Sequence, residues 1–260
     1  MNLGGSNPGI GLRSTSNGSL ATWSRAATWV SLAAVVVRPA LAQGVPDCAG
    51  PNRICEVVPE LNVFFKLSDR TRLFLLADVT RLDGGDVTNG ELGLHLDYTL
   101  KPILRADLRD ANWERARYLW MRVGYQRLGN LSGDADAADE NRLLLEVTAR
   151  AELPGSLWLV NRLRLDRRDI GTSQSSRYRY RLGAEREFTL ASGMALVAYA
   201  QAEGFYDTRF DAWSRRLYQV GVEFELNQSW RLEPYYAYEN NTRAAAESVN
   251  RFGLVLKYYR

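Results

Sequence analysis

His95 and Asp97 stand two residues apart in Glu91–Leu100, and they are the pair in this chain best suited to chemistry. In a strand, that spacing puts both side chains on one face. There an imidazole beside a carboxylate can activate a water or a serine hydroxyl. A protease-like site needs further acids near one rim, and Asp83 and Asp86 lie in the adjoining polar stretch. A phospholipase-like site needs a serine closely following the histidine, but Leu96-Asp97-Tyr98-Thr99 stands there instead. The competing reading makes His95 one member of an internal polar network. The expectation is therefore a protein without catalytic activity, with His95 and Asp97 as the candidates for a hydrolase alternative.

Other chemistry is sparse. There is no phosphate-binding glycine loop, zinc spacing or nucleophile motif, so no cofactor and no metal is expected. Asp83-Gly84-Gly85-Asp86 and Asp134-Ala135-Asp136 are read as solvated acidic loop tips rather than calcium loops. The two cysteines, Cys48 and Cys55, form a lone close pair, and His95 is the only histidine that could join them at a metal. A disulfide is expected, provided the chain leaves the cytosol. The net charge of +3, from 33 basic and 30 acidic residues, lacks the clustered basic face of a nucleic-acid binder. Lysine occurs only at Lys66, Lys101 and Lys257, and every other basic residue is arginine, which tolerates partial burial and pairs bidentately with carboxylates.

The N-terminus reads as an address. Residues 1–25 carry Arg13 and Arg25 and no acid, Ala26–Val37 is apolar, and Ala40-Leu41-Ala42 fits a small-residue cleavage site. The predicted organisation is an export signal over 1–42, a periplasmic segment with the possible disulfide over 43–59, and a β domain over 60–260.

No apolar run reaches the roughly 18–20 residues of a membrane helix. Instead the chain alternates with period two. In Arg177–Phe188 the set Tyr178, Tyr180, Leu182, Ala184 and Phe188 faces away from Arg177, Arg179, Arg181, Glu185 and Glu187. Strands are expected near 60–66, 71–82, 91–100, 115–127, 140–152, 156–166, 177–188, 193–205, 215–225, 230–239 and 249–259, with a short helical turn within 101–113. Short connections (68–70, 154–155, 190–192, 227–229) alternate with long polar ones (83–90, 128–139, 167–176, 206–214, 240–248). That rhythm belongs to an antiparallel up-and-down transmembrane barrel with a polar lumen. An even strand number is the rule for such barrels, so 10–12 strands are expected, with twelve ahead. Ten strands from 71 to 259 would leave both ends in the periplasm.

A soluble exported barrel that binds an apolar ligand would alternate equally well. Three features point to the membrane. The strands are long. Tryptophans and tyrosines (Trp113, Trp158, Trp213, Trp230, Tyr235, Tyr236, Tyr238) gather near strand ends as if in interfacial girdles. The polar face is densely ionic, with an expected lumen network of Arg142, Glu146, Arg150, Arg162, Arg164, Arg177, Arg179, Arg181, Glu185, Glu223 and Glu225. The C-terminus adds Arg251, Gly253, Leu256 and Tyr258, which match the spacing of a barrel-assembly signal, although Tyr259 and Arg260 follow.

The units Leu61-x-Val63-x-Phe65-Lys66-Leu67 and Leu73-x-Leu75, with Arg162-Leu163-Arg164 and Arg177-Tyr178-Arg179-Tyr180-Arg181, give the chain a likeness over about 61–259. It resembles the outer-membrane barrel family called domain of unknown function 2490. That resemblance implies a barrel and carries over no activity, ligand or catalytic residue. The functional expectation is a narrow solute pore or a structural envelope component in the outer membrane, reached by the general secretory route. Its partners would be outer-membrane lipid and, during biogenesis, periplasmic chaperones and the barrel-assembly machinery.

Overall fold

The structure is a computed structural model that describes residues 53–82, 87–100, 117–131, 139–155, 157–190, 194–243 and 247–260. The expected export signal, Cys48, Trp113, the acidic tips at 83–86 and 134–136, and the expected helical turn lie outside the described residues. The described residues form eleven strands: β1 (Arg53–Lys66), β2 (Thr71–Leu82), β3 (Val87–Thr99), β4 (Leu119–Asn130), β5 (Glu140–Leu153), β6 (Leu157–Ile170), β7 (Ser173–Thr189), β8 (Ala195–Asp207), β9 (Ala212–Glu225), β10 (Trp230–Asn241) and β11 (Ser248–Tyr259). Each strand pairs with its sequence neighbours, and β11 returns to β1, so the sheet closes into a barrel without free edges.

The closing pair departs from the expected even count. Among the described residues there are eleven strands, so the first and last run the same way and β1 pairs with β11 in parallel. The segment expected as a short strand near 60–66 extends back to Arg53, through Cys55, as one continuous strand. Arg53 therefore pairs with Ser248 at the rim of the long connections, and Phe64 pairs with Tyr259 at the opposite rim. The two ends of the barrel wall do not share one side, as ten strands would have required.

Strands run from 12 residues in β2 to 17 in β7, more than the roughly 9–11 needed for a tilted crossing. The surplus lies toward the long connections. Residues 167–176, expected as a loop, are the tips of β6 and β7, paired in register as far as Ile170 with Ser173. Gly171 supplies the positive φ of 56° that this tight hairpin needs. The pattern hid this extension because Arg167, Ser173, Gln174 and Ser176 offer no apolar alternation, whereas backbone hydrogen bonding needs none.

The outer wall is apolar. Leu92, Leu143 and Leu163 are 67%, 61% and 60% exposed, a state a soluble fold rarely gives to a row of leucines. The inner wall is ionic, and among the described residues the apolar core cluster is Phe205, Leu217 and Ala237, with Tyr235 packed against them. A soluble barrel around an apolar ligand has the opposite polarity, and this structure overturns that alternative. Two expected girdle residues also point inward: Trp158 is buried beneath the Arg150 guanidinium, and Tyr235 lines the lumen. Trp230 remains on the outer wall, packed against Tyr258.

Candidate functional site

The lumen is the site, and strand parity decides who enters it. Counting in twos from Arg142 gives Leu144, Glu146, Thr148 and Arg150, all buried. Counting from Arg177 gives Arg179 across from Phe205 and Arg181 across from Glu203. Acids act as hubs along this wall. Glu203, whose side chain is wholly buried, accepts hydrogen bonds from Arg162 Nη2 (3.0 Å), Arg179 Nε (2.7 Å) and Arg181 Nη2 (2.6 Å). Glu140 accepts from Arg168 through both oxygens (2.6 Å each) and from Arg142 (2.7 Å). Asp207 takes Arg168 (2.8 Å) and Arg177 (2.9 Å). Asp166 holds Arg164 (2.5 Å), and Glu146 lies 3.4 Å from Arg162. Glu203, Glu140 and Asp207 each bring two or three charge-assisted donors to one carboxylate, as a buried acid requires.

The other expected members are also inside. Arg150 pairs with Glu185 (2.6 Å), Glu223 with Lys257 (2.6 Å), and Glu225 with Arg231 (3.4 Å). Alternation along the strand already sets Asp166 beside Arg162 and Arg164 on the polar face, whereas Glu140, Glu203 and Asp207 are not among the expected members. Nor is Lys257, which bridges Glu223 and Glu233 (2.5 Å).

His95 and Asp97 do share the inner face, but they are not hydrogen-bonded to each other. Asp97 is fully buried and accepts from Arg72 Nε and Nη2 (3.0 and 2.6 Å) and from Arg122 Nε and Nη2 (2.6 and 3.0 Å). Three of these four bonds fall on Oδ2 and one on Oδ1, and none comes from His95. His95 stacks on Phe74, and neither ring nitrogen has a hydrogen-bond partner among the described residues. The dyad geometry of a hydrolase is absent from this pair.

The stacking continues across four strands. Tyr259, Phe64, Phe74 and His95 are register neighbours on β11, β1, β2 and β3, and their rings stack with centroids 4.7 Å apart at every step. Guanidiniums cover this ladder: Arg72 over Phe64 (4.1 Å), Arg122 over Phe74 (4.4 Å) and Arg231 over Tyr259 (5.7 Å). Glycines make room at its end. An added Cβ at Gly93 would come 2.5 Å from His95 Cε1, and one at Gly124 nearer still to the same ring.

The same device explains one member of the expected assembly signal. Gly253 faces inward beneath the Tyr235 ring, its register partner on β10, and any side chain there would collide with it. Arg251 is also internal and pairs with Glu56 across the closing seam (2.7 Å). Leu256 and Tyr258 take the outer parity. Cys55 is buried and disulfide-bonded; Cys48 is the only other cysteine of the chain.

Fold and site together define a closed β-barrel with an apolar exterior and an ion-paired lumen. The chain matches the family described as Protein of unknown function (DUF2490) over residues 61–250, and it belongs to that family. No curated protein matches it. Among solved structures it is similar to the beta domain of the Bordetella autotransporter BrkA (16% identity, 73% of this chain and 83% of that one, TM-score 0.41). It is also similar to OmpT, an outer membrane protein of Vibrio cholerae (13%, 70% and 60%, TM-score 0.31), and to the siderophore receptor PirA of Pseudomonas aeruginosa (17%, 69% and 32%, TM-score 0.27). None of the three carries a function over to this chain.

Proposed function

We propose that this chain is an outer-membrane barrel without catalytic activity, exported by the general secretory route, whose lumen is a narrow passage for small polar solutes. The observation that carries the reading is the inverted polarity: leucines and tyrosines outside, and a belt of arginine–carboxylate pairs inside. Lipid satisfies such an exterior and water does not. The lumen keeps a cavity of about 430 Å³ lined by charged and polar side chains, which favours a passage over a solid scaffold. Hydrolysis by His95 and Asp97 is not part of the proposal, because two arginines already occupy Asp97. Lipid is the standing partner, with chaperones and the assembly machinery acting during biogenesis.

The purified protein should need detergent, migrate differently on a gel before and after boiling, and give small discrete conductance steps in a planar bilayer. Partition into buffer without detergent would remove the membrane reading. Steady membrane insertion without conductance would leave a structural barrel. Topology offers a further check. An epitope placed just before Arg53 should be read from the same side as one in Thr208–Asp211, and from the side opposite to one in Asn227–Ser229.

A further inference from the structure

The two walls of the central cavity carry opposite charge. The wall from β4 to β7 contributes seven arginines and two glutamates to the lining. The facing arc, β9–β11 with β1–β3, contributes five carboxyl groups and only Arg251 and Lys257 as cations. Within each wall, like charges sit directly opposite one another in register. Arg162 faces Arg181, and Arg164 faces Arg179. Glu60 faces Asp78, and Asp78 faces Glu91, forming a row across three adjacent strands. Like charges at directly paired positions destabilise a sheet, so this arrangement works against the barrel that carries it.

The arginines are partly compensated by their acid hubs. The carboxyl row has fewer direct partners. Among the described residues its one ion pair is the 3.9 Å approach of Arg142 to Glu91, and its one hydrogen bond is from Asn62 Nδ2 to Glu60. Two buried polar groups line the same cavity with atoms that lack a hydrogen-bond partner among the described residues: Asn62 Oδ1 and both nitrogens of His95. The carboxyl groups do not converge on a point, since no cluster of three His, Cys, Asp or Glu side chains among the described residues could hold a metal ion. A row spread over three strands suits an organic cation better.

We propose that the cavity selects small zwitterions, with the anionic end on the arginine wall and the ammonium end on the Glu60–Asp78–Glu91 row. A simple ion gains from one wall and is repelled by the other. A dipole gains from both, in a low-dielectric space where such terms are strong. The volume of about 430 Å³ sits at the lower end of small-molecule sites, roughly 300–1,000 Å³. This inference rests on the lumen being a solute passage.

The full chain reconstituted in phosphatidylcholine vesicles tests it by isotonic swelling, with protein-free vesicles as the blank. The probes are glycylglycine, a zwitterion, and N-acetylglycinamide, its uncharged counterpart of similar size. Glycylglycine should enter several-fold faster. The combined changes Glu60→Gln, Asp78→Asn and Glu91→Gln should bring the ratio of the two rates down to about one. The single change Asp78→Asn, at a carboxyl with no ion pair among the described residues, should lower it partway if the triple variant fails to assemble. Asp69→Asn, in an exposed turn, should keep the wild-type ratio. Equal entry of both probes into wild-type vesicles, or a ratio indifferent to both carboxyl variants, would overturn the zwitterion inference and leave the passage standing. Entry of neither probe would overturn both.

Discussion

Two arcs of this barrel fill the same lumen with different chemistry. From β5 to β8, carboxylates such as Glu203 and Glu140 each gather two or three guanidiniums. From β11 through β1 and β2 to β3, four stacked rings run across the strands with arginines laid over them. The second arc contains the parallel closing pair, whose ladder is slightly weaker per residue than an antiparallel one and has no connecting turn. The seam is held instead by the Phe64–Tyr259 stack, the Glu56–Arg251 pair, and backbone bonds from Lys66 N to Arg260 O (2.8 Å) and from Arg260 N to Phe64 O (2.9 Å). Turn-connected strands can be tied by ion pairs, which tolerate several geometries. A seam between chain ends gains more from rings, which stack well only in register.

The sharpest way to break this contrast is to remove a hub. Glu203→Gln leaves Arg162, Arg179 and Arg181 facing a neutral amide in a buried site. Loss of one partner of a buried ion pair typically costs about 3–5 kcal/mol, and three guanidiniums share this one. Urea unfolding in lipid vesicles should show a loss in that range. A change near zero would mean that water screens the wall and that the lattice is not dry.

At the ring ladder, Gly124→Ala pushes a methyl group into the His95 imidazole, and overpacking of this kind costs about 1–3 kcal/mol. His95→Ala in the same chain should recover part of that loss, because the ring contacts go while the Leu94 carbonyl oxygen stays 2.9 Å from the added Cβ. A double-mutant cycle reads the coupling directly. If the two losses simply add, the ring does not lie on Gly124. Phe74→Leu is milder: it keeps apolar volume but removes two stacking contacts and the surface beneath Arg122, for about 1–2 kcal/mol in total.

Much of this was legible in the residues. All eleven strands could be placed because Leu, Tyr and Val recur every second position, and that parity also placed every expected lumen arginine inside. Three things were not legible. The parallel seam was missed because Glu56 and Glu60 interrupt the apolar pattern of β1 at its start, so only its second half looked like a strand. The upper hairpin of β6 and β7 was missed because it is polar on both faces. The division of labour between His95 and Asp97 was missed because spacing shows that two side chains share a face, whereas their partners come from Arg72 and Phe74 on β2 and Arg122 on β4. Trp158 and Tyr235 show the same limit, since nearness to a strand end does not say which face an aromatic ring takes.

The smallest effect belongs to an acid that looks equivalent on paper. Asp69 lies 3.0 Å from the Lys66 ammonium, as close as many of the lumen pairs, but its side chain is 81% exposed. The hydrogen bond and charge of Lys66 hold its carboxyl below the usual carboxylate range. A carboxyl depressed in the folded state adds stability above its unfolded pKa and loses it as pH falls through the folded one. Any contribution from Asp69 is therefore present at neutral pH and fades in the acid range. Water and salt screen an exposed pair, so Asp69→Asn should leave the unfolding midpoint unchanged at high salt and lower it only slightly at low salt. Asp97→Asn, which deprives the buried Arg72 and the partly buried Arg122 of their shared carboxylate, should be strongly destabilising at either salt concentration. Equal losses from the two substitutions would mean that depth in the barrel is not what gives these ion pairs their strength.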